Sequence, residues 1–172
     1  IENIELIRRA ANSDFLTGLP NRRHFFERAA AATQLVPKCQ TLALIDIDLF
    51  KSVNDTYGHD CGDYTLREIA KLVSSTFAAH IPARFGGEEF CVFLPNVDLP
   101  SAIHLFEAFR EELAQITFKF EGKTFHCTVS IGLTAIATGG GNSMLRKADE
   151  YLYQAKASGR NQVVHDPVKE VV

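Results

Sequence analysis

The feature that most constrains the fold is a strand–turn–strand stretch, ARFGGEEFCVFL, at residues 83–94. Its two apolar runs favour β-strands, whereas glycine and glutamate are both unfavourable inside strands. Paired glycines supply the positive φ that a tight antiparallel turn needs. The stretch therefore predicts a hairpin with Gly86, Gly87, Glu88 and Glu89 at its turn. Residues that oppose the local strand preference are typical of a functional site.

Apolar periodicity along the rest of the chain predicts an α+β domain. Helices are predicted over 1–12, 21–35, 101–115 and 142–158, with a further helix that Asp63 caps. Strands are predicted for TLALIDIDLF and NQVVHD, and a second hairpin for ITFKFEGKTFHCTVSIGLTAI. KSVNDTYGHDCG is predicted to be a loop, GGGN a turn and PVKEVV a frayed tail. The order of these elements predicts a mixed central sheet flanked by helices, of ferredoxin-like or palm-like type.

The composition fits one domain and disfavours several classes of protein. The 172 residues are 46% hydrophobic, which is enough for a substantial core. A net charge of −3 disfavours a duplex nucleic-acid partner, and the chain has no apolar run long enough for a membrane span. The four cysteines form no CxxC pair, so free thiols are favoured over a zinc site or disulfides.

Two acidic pairs are predicted to meet at one end of the sheet. Asp46 and Asp48 lie two apart on a strand, so their side chains share a face. Both could simply be partly solvated at a strand end, but a hairpin turn beside them would bring four carboxylates together. Such a cluster needs a compensating cation or proton. Oxygen ligands favour Mg²⁺ or Mn²⁺, and Mg²⁺ leaves coordination positions for phosphate, which predicts a phosphorylated substrate.

Polar residues elsewhere fit the same substrate, although each also has a purely structural interpretation. Lys51 follows the acidic strand in a loop whose amides could hold phosphate. Asn54 and Asp63 together offer the donor and acceptors that match a guanine edge, but they are equally typical of an Asx-turn and a helix N-cap. Lys156 and Arg160 could bind phosphate, or could be solvated cations at a helix C-terminus.

Five motifs, taken in order, resemble the GGDEF domain family, the diguanylate cyclases, in its GGEEF variant. They are DFLTGLPNRR (14–23), IDIDLFKSVNDTYGHDCGD (45–63), RFGGEEF (84–90), SIGLT (130–134) and ADEYLYQAKASGRNQV (148–163). The resemblance implies a palm-like nucleotidyl cyclase fold and the condensation of two GTP into cyclic di-GMP and two pyrophosphates. It divides the chain into the end of an incoming signalling helix or linker (1–13), a catalytic domain (14–166) and a C-terminal tail (167–172).

Residue by residue, the resemblance implies a metal site, catalytic groups and substrate contacts. Mg²⁺ or Mn²⁺ would be held by Asp46, the backbone carbonyl of Ile47, Glu88 and Glu89. Glu88 would also be the base for the 3′-hydroxyl, and Lys51 would stabilise charge on the transferring phosphate. The implied substrate contacts are Asn54 and Asp63 at guanine, Leu66 against the base, Lys156 and Arg160 at the terminal phosphates, and Phe50, Gly86 and Gly87. His59 matches the pattern too, either as a substrate contact or in packing of the loop.

The resemblance also implies partners and regulation. Since one domain holds one GTP, catalysis requires a homodimer in which two domains meet about a two-fold axis. The chain begins with Ile1, so we expect it to continue upstream into a sensory domain. We expect a cytoplasmic location, either free or as part of a membrane-anchored protein, with no membrane contact by this segment. Many family members carry an inhibitory RxxD motif just before the signature, but residues 74–85, SSTFAAHIPARF, lack it.

Three alternatives remain at this point. A cyclic GMP–AMP synthase would keep the chemistry and change one base, but the intact Asp63 disfavours it. A catalytically inactive GTP-binding or partner-recruiting domain usually has a damaged signature, whereas Glu88 and Glu89 are present here. The third alternative is an α/β interaction module without a ligand.

Overall fold

The computed structural model describes residues 1–35, 39–135 and 141–170. Its helices are α1 (Glu2–Asn12), α2 (Arg22–Leu35), α3 (Phe50–Tyr57), α4 (His59–Thr76), α5 (Leu99–Gln115) and α6 (Gly141–Ala157). Its strands are β1 (Gln40–Ile47), β2 (Ile81–Gly86), β3 (Glu89–Pro95), β4 (Phe118–Phe120), β5 (Lys123–Phe125), β6 (Val129–Ala135) and β7 (Val163–His165). Five strands form the central sheet in the order β2-β3-β1-β6-β7. Only β7 pairs in parallel, with β6, so the predicted mixed sheet flanked by helices is confirmed.

Strand β1 lies at the centre of the sheet because both of its faces are apolar. Ala43, Ile45 and Ile47 face the core formed with α4 and α5, whereas Leu42 and Leu44 face the core formed with α2 and α6. All eight residues of β1 are buried. The alternation continues to the strand's end, so that Asp46 lies on the α2/α6 face.

The predicted loop at residues 51–62 is wrong, because this stretch forms α3 and the start of α4. The two helices meet at Gly58, whose φ of 93° ends α3 in a conformation that favours glycine. Phe50 and Val53 are buried, so tertiary packing stabilises a helix whose Asn and Asp content disfavours it. Asp63 is consequently not an N-cap but the fifth residue of α4.

The predicted second hairpin is confirmed at its tip and wrong in its second arm. Strands β4 and β5 pair as a separate two-stranded sheet, and the chain leaves strand geometry before β6 joins the central sheet. Phe125 stacks on Phe118 and on Tyr57 at ring-centroid distances of 5.4 and 4.8 Å, which anchors the small sheet to α3. The first two residues of the predicted GGGN turn lie outside the described residues, and α6 begins at the third.

The ends of the chain extend from this body. Helix α1 has no buried residue, and its apolar side chains Ile4 and Ile7 are 61% and 65% exposed. Within the described ranges no helix is long and apolar enough to cross a membrane. After β7, residues 167–170 form no regular structure, and residues 171–172 of the predicted frayed tail lie outside the described residues. The structure has no disulfide among Cys39, Cys61, Cys91 and Cys127.

Helix α6 packs closely against β6, and this contact determines the position of its C-terminal end relative to β1. A Cβ on Gly132 would overlap the backbone oxygen of Ala148 and the backbone nitrogen of Leu152. Glycine therefore allows the two backbones to approach closely. The helix then runs across the face of β1 and ends beside Asp46.

Candidate active site at one end of the sheet

The signature turn has the backbone that its glycines predict. Strands β2 and β3 pair from Gly86 to Glu89, so Gly87 and Glu88 form a two-residue turn, and the hairpin is confirmed. Gly86 and Gly87 have φ of 127° and 52°, which L side chains adopt only with strain. Neither glycine has a heavy atom within 4 Å of a built Cβ. The glycines are thus needed for backbone conformation, and the space beside them is open to a ligand.

Arg84 ties the turn to the loop that precedes α2. Its Nη2 donates to the carbonyl oxygen of Gly87 at 2.7 Å, and its Nη1 donates to both carboxylate oxygens of Asp14 at 3.1 Å. Burial alone would raise the pKa of Asp14, but hydrogen bonds from Thr17 and then Arg84 lower it overall. The turn is therefore held by a contact between residues 70 positions apart.

Two carboxylates face each other at the end of the β1–β3 ladder. Asp46 pairs in register with Glu89, and the backbone N–H of Ile47 donates to the carbonyl oxygen of Glu88 at 3.2 Å. The four predicted metal ligands are therefore neighbours along the backbone, at the end of β1, at the start of β3 and in the turn before it. Lys156, at the end of α6, places its Nζ 3.0 Å from Asp46 Oδ2. This ammonium is the cation nearest to the acidic pair in the described part of the chain.

The surroundings disfavour the ionised form of both facing carboxyls. Burial raises the pKa of Asp46, and the charges of Glu88 and Asp48 add to this rise, while Lys156 opposes it. Burial also raises the pKa of Glu89, followed by repulsion from Asp46 and Asp149. Crowded acids of this kind are stabilised by a bound cation. The Glu89 side chain borders an open cleft of about 480 Å³ that Arg22, Arg146 and Asp149 also line.

We expect Glu89→Gln to raise the thermal stability of the nucleotide-free protein at neutral pH. A carboxyl with a raised folded-state pKa destabilises the fold above its unfolded pKa, so stability falls as pH rises through the interval between the two values. Glutamine removes that cost, and Tm should rise by roughly 2–4 °C for each kcal/mol relieved in a domain of this size. The gain should vanish near pH 4 in a thermal melt series, where the wild-type carboxyl is protonated. A gain of equal size at every pH would contradict the assignment.

Asp48, the other acid at the end of β1, uses both carboxylate oxygens in hydrogen bonds within the protein. Its Oδ1 accepts from Ser130 Oγ at 2.6 Å, and its Oδ2 accepts from Thr128 Oγ1 at 2.7 Å and from the Asn161 backbone N–H at 3.0 Å. The convergence of four carboxylates on one ion is therefore not observed. In residues 1–35, 39–135 and 141–170, no three His, Cys, Asp or Glu residues are arranged to hold a metal ion by themselves. The Asp46–Glu89 pair is compatible with Mg²⁺, which commonly takes one or two carboxylates.

The residues expected to hold the base cluster between α3 and α4. A Cβ on Gly62 would overlap Asn54 Oδ1 and lie 3.2 Å from the Phe50 ring, so the Asn54 side chain lies directly against this glycine. Asp63 is the next residue along α4, and Leu66 is buried one turn further on. Helix α3 starts three residues after Ile47, which places this cluster at the same end of the sheet as the carboxylates.

Three expected substrate residues are exposed. The Lys51 side chain is 91% exposed and approaches only Asp55, at 3.9 Å, among the described residues. His59 is exposed at the first position of α4. Arg160 is exposed just after α6, beyond Lys156. The structure therefore presents these side chains to solvent and leaves their roles as expectations.

Comparison with known proteins agrees with this geometry. The sequence profile described as diguanylate cyclase, GGDEF domain, matches residues 11–162. The chain belongs to the GGDEF domain family. The response regulator PleD of Caulobacter vibrioides is 42% identical over 162 residues, covering 90% of this chain and 36% of PleD. Diguanylate cyclase A of Treponema denticola is 36% identical, covering 95% of this chain and 46% of that protein.

Solved structures show the same GGDEF fold. The coiled coil and GGDEF domain of DgcB from Caulobacter crescentus, in complex with c-di-GMP, superposes with a TM-score of 0.89 at 33% identity, over 96% of this chain and 91% of that chain. The diguanylate cyclase SiaD of Pseudomonas aeruginosa, in complex with its activator SiaC, gives 0.86 at 35% identity, over 96% of this chain and 66% of that one. The present chain spans between a third and a half of the length of PleD and diguanylate cyclase A.

Sequence reasoning missed three residues that organise this GGDEF site. Asp14 and Arg84 lay inside quoted motifs, but nothing local indicated that they pair with each other. Asp48 was expected in a cluster of four carboxylates with Asp46, Glu88 and Glu89, and its structural partners were not foreseen. Two of the residues that donate to Asp48, Ser130 and Asn161, lie in the SIGLT motif and in the GRN stretch of the last motif. Only the folded chain shows that these donors meet Asp48.

Proposed function

We propose that this domain is a diguanylate cyclase that condenses two GTP molecules into cyclic di-GMP and releases two pyrophosphates. The observation that carries the proposal is the pair of cross-strand carboxylates, buried Asp46 and half-buried Glu89, beside the open signature turn. Membership of the GGDEF family supports the same reaction. The acidic pair is suited to a nucleotide–metal complex and poorly suited to a purely structural role, since both carboxyls have raised pKa values.

Mg²⁺ or Mn²⁺ fits the residues at this site. Asp46, Glu89, Glu88 and the Ile47 carbonyl would hold it, and the Lys156 ammonium now beside Asp46 indicates that the site favours positive charge. When bound, the ion neutralises charge on the α-phosphate and lowers the pKa of the attacking 3′-hydroxyl.

The residues of the chain bind and orient the GTP molecules, and one of them accepts a proton. Glu88, in the turn, accepts the proton of the 3′-hydroxyl, whose oxygen attacks the α-phosphorus of the other GTP as the α–β anhydride bond breaks. Asn54 and Asp63 bind the guanine edge. Lys51, Lys156 and Arg160 bind the phosphates as point charges or in a bidentate manner. Most of the rate enhancement in such a site comes from positioning and charge neutralisation.

Catalysis requires a homodimer, because each of two GTP molecules attacks the other. A two-fold arrangement presents each 3′-hydroxyl to the opposite α-phosphate. Helix α1 supports this arrangement, since none of its residues is buried within the described chain, and the DgcB structure contains a coiled coil together with its GGDEF domain. We propose that an upstream sensory domain controls the pairing through this helix.

Incubation with GTP and Mg²⁺ at several protein concentrations tests the function directly. We expect cyclic di-GMP as the product, with a rate per protein chain that rises with protein concentration until dimers dominate. With ATP added in equal amount, a mixed dinucleotide would indicate a cyclic GMP–AMP synthase instead. Bound but unreacted GTP would indicate an inactive binding domain, and no binding would indicate an interaction module.

We also expect no inhibition by product through residues 74–85. This segment has no arginine before Arg84 and no aspartate. Phe77 in this segment is fully buried and stacks on Phe106 at a ring-centroid distance of 4.7 Å. Its side chain is therefore part of the hydrophobic core and is not available to a ligand. Initial rates measured at rising cyclic di-GMP concentrations should show only competition with GTP. Strong non-competitive inhibition at roughly micromolar product, an affinity of about −8 kcal/mol, would contradict this expectation.

A further inference from the structure

The turn after α6 has an unusual backbone that needs external support. Gly159, Arg160 and Asn161 all have positive φ, at 116°, 65° and 47°. The two residues with side chains occupy the left-handed region at a cost in free energy, which persists only where surrounding contacts compensate it. The Arg160 N–H donates to the carbonyl oxygen of Ala155 at 2.9 Å, which closes the end of the helix. The following residue is held from outside the helix.

Asp48 supplies that support from the end of β1. Its Oδ2 accepts the Asn161 backbone N–H at 3.0 Å across a sequence separation of 113 residues. The carboxylate is 6% exposed and is fixed in turn by the hydroxyls of Ser130 and Thr128. The side chain of Asn161 is held from the other side, because its Oδ1 accepts from Arg110 on α5 at 3.0 Å. Arg110 is itself paired with Glu107 at 2.6 Å.

We propose that Asp48 is a positioning residue that sets where Lys156 and Arg160 meet the terminal phosphates of GTP. It lies two residues after Asp46 on the same strand end, so one short segment fixes both a metal-binding carboxylate and the phosphate-binding turn. Asp48 itself touches neither substrate nor metal in this assignment. The inference rests on the proposed function, because it assumes that the two cations bind phosphate.

The chemistry of the nucleotide separates this role from a general contribution to stability. A turn that positions cations at the β- and γ-phosphates affects a triphosphate and leaves GMP, which lacks those groups, nearly unaffected. A residue that only stabilised the fold would change both affinities alike. The ratio of the two affinities therefore reports on the turn.

The test measures affinities for GMP and for a GTP analogue with a methylene group between the α- and β-phosphorus, both with Mg²⁺. We expect Asp48→Ala to weaken binding of the analogue by about tenfold, the loss expected for one charge-assisted contact, with less than about a twofold change for GMP. Asp48→Asn should retain most of the affinity, since its amide oxygen can accept from Asn161 while its amide nitrogen donates to a rotated Ser130 hydroxyl. In the background of Arg160→Ala and Lys156→Ala, Asp48→Ala should add little.

Asp166→Ala is the matched control. Asp166 is 8% exposed and accepts from Thr134, Tyr151, Lys147 and the Ala135 N–H, so its loss should destabilise the fold to a similar extent without reaching the turn. If Asp48→Ala does not fold, Asn161→Ala on the exposed turn replaces it. That variant removes the Arg110 contact and makes the left-handed conformation less favourable, so it should also weaken only the analogue.

The outcomes distinguish this inference from the proposed function. A wild-type domain that binds the analogue no better than GMP and makes no cyclic di-GMP would overturn both. An active wild type combined with equal losses for GMP and analogue in Asp48→Ala, or with full additivity over Arg160→Ala and Lys156→Ala, would overturn the positioning role alone. A selective loss that Asp48→Asn restores and Asp166→Ala does not reproduce would support it.

Discussion

Asp46→Ala should abolish cyclic di-GMP synthesis and leave the domain folded. Its carboxylate faces Glu89 and is 7% exposed, so no other side chain can take its place at the end of β1. Removing one electrostatic partner of a developing charge costs roughly 10²–10³ in kcat, and a lost metal ligand costs at least as much. The fold should tolerate the change because burial raises the pKa of this carboxyl, and alanine removes that cost.

Helix α6 offers a closely matched control for this variant. Asp166 pairs with Lys147 at 2.8 Å much as Asp46 pairs with Lys156 at 3.0 Å, and the two aspartates are 8% and 7% exposed. Asp166→Asn removes the charge of another buried aspartate that pairs with a partly exposed lysine, remote from the signature turn. It should lower Tm and leave kcat within about twofold, as expected when no transition-state contact is lost. Equal retention of turnover by both variants, measured as initial rates with GTP and Mg²⁺, would contradict the assignment of Asp46.

The elements that the sequence predicted correctly are those in which local preference and burial agree. Strand β1 is β-branched and apolar on both faces, and α5 has an apolar stripe, ending in Leu113, that is fully buried. The β2–β3 hairpin follows from two glycines that a side chain could replace only with strain. In these places a residue's own conformational preference is sufficient to locate the element.

The predictions failed where tertiary contacts override local preference. The stretch 51–62 has the composition of a loop, yet buried Phe50 and Val53 make it helical and shift the start of α4 ahead of Asp63. The site shows the same limit. Asp46 and Glu89 could be paired from motif and register, but the contacts of Arg84 with Asp14 and of Asp48 with Asn161 span 70 and 113 residues. No local pattern specifies such partners.

Gly62→Ala should raise the KM for GTP by roughly 10–100-fold, the loss of one or two hydrogen bonds to the base. Gly62 lies inside α4 with an ordinary helical backbone, so alanine there should favour the helix by about 1 kcal/mol. The new Cβ, however, would overlap Asn54 Oδ1 and press on the Phe50 ring. Asn54 can move only by leaving the position from which it would bind guanine. The substitution thus sets a small local gain against a large loss at the site.

The double variant Asn54→Ala/Gly62→Ala decides whether that displacement is the cause. If Gly62 acts only by leaving room for Asn54, the double variant should have the same KM as Asn54→Ala, because the displaced side chain is already gone. Preference for GTP over ATP should fall in Gly62→Ala, in Asn54→Ala and in the double variant. In thermal melts, any loss of stability should be limited to the effect of the new Cβ pressing on the Phe50 ring. A double variant much weaker than Asn54→Ala would mean that Gly62 keeps space for the nucleotide itself. In that case the base, and not the asparagine, would lie against α4, and the guanine site would have to be placed closer to the helix.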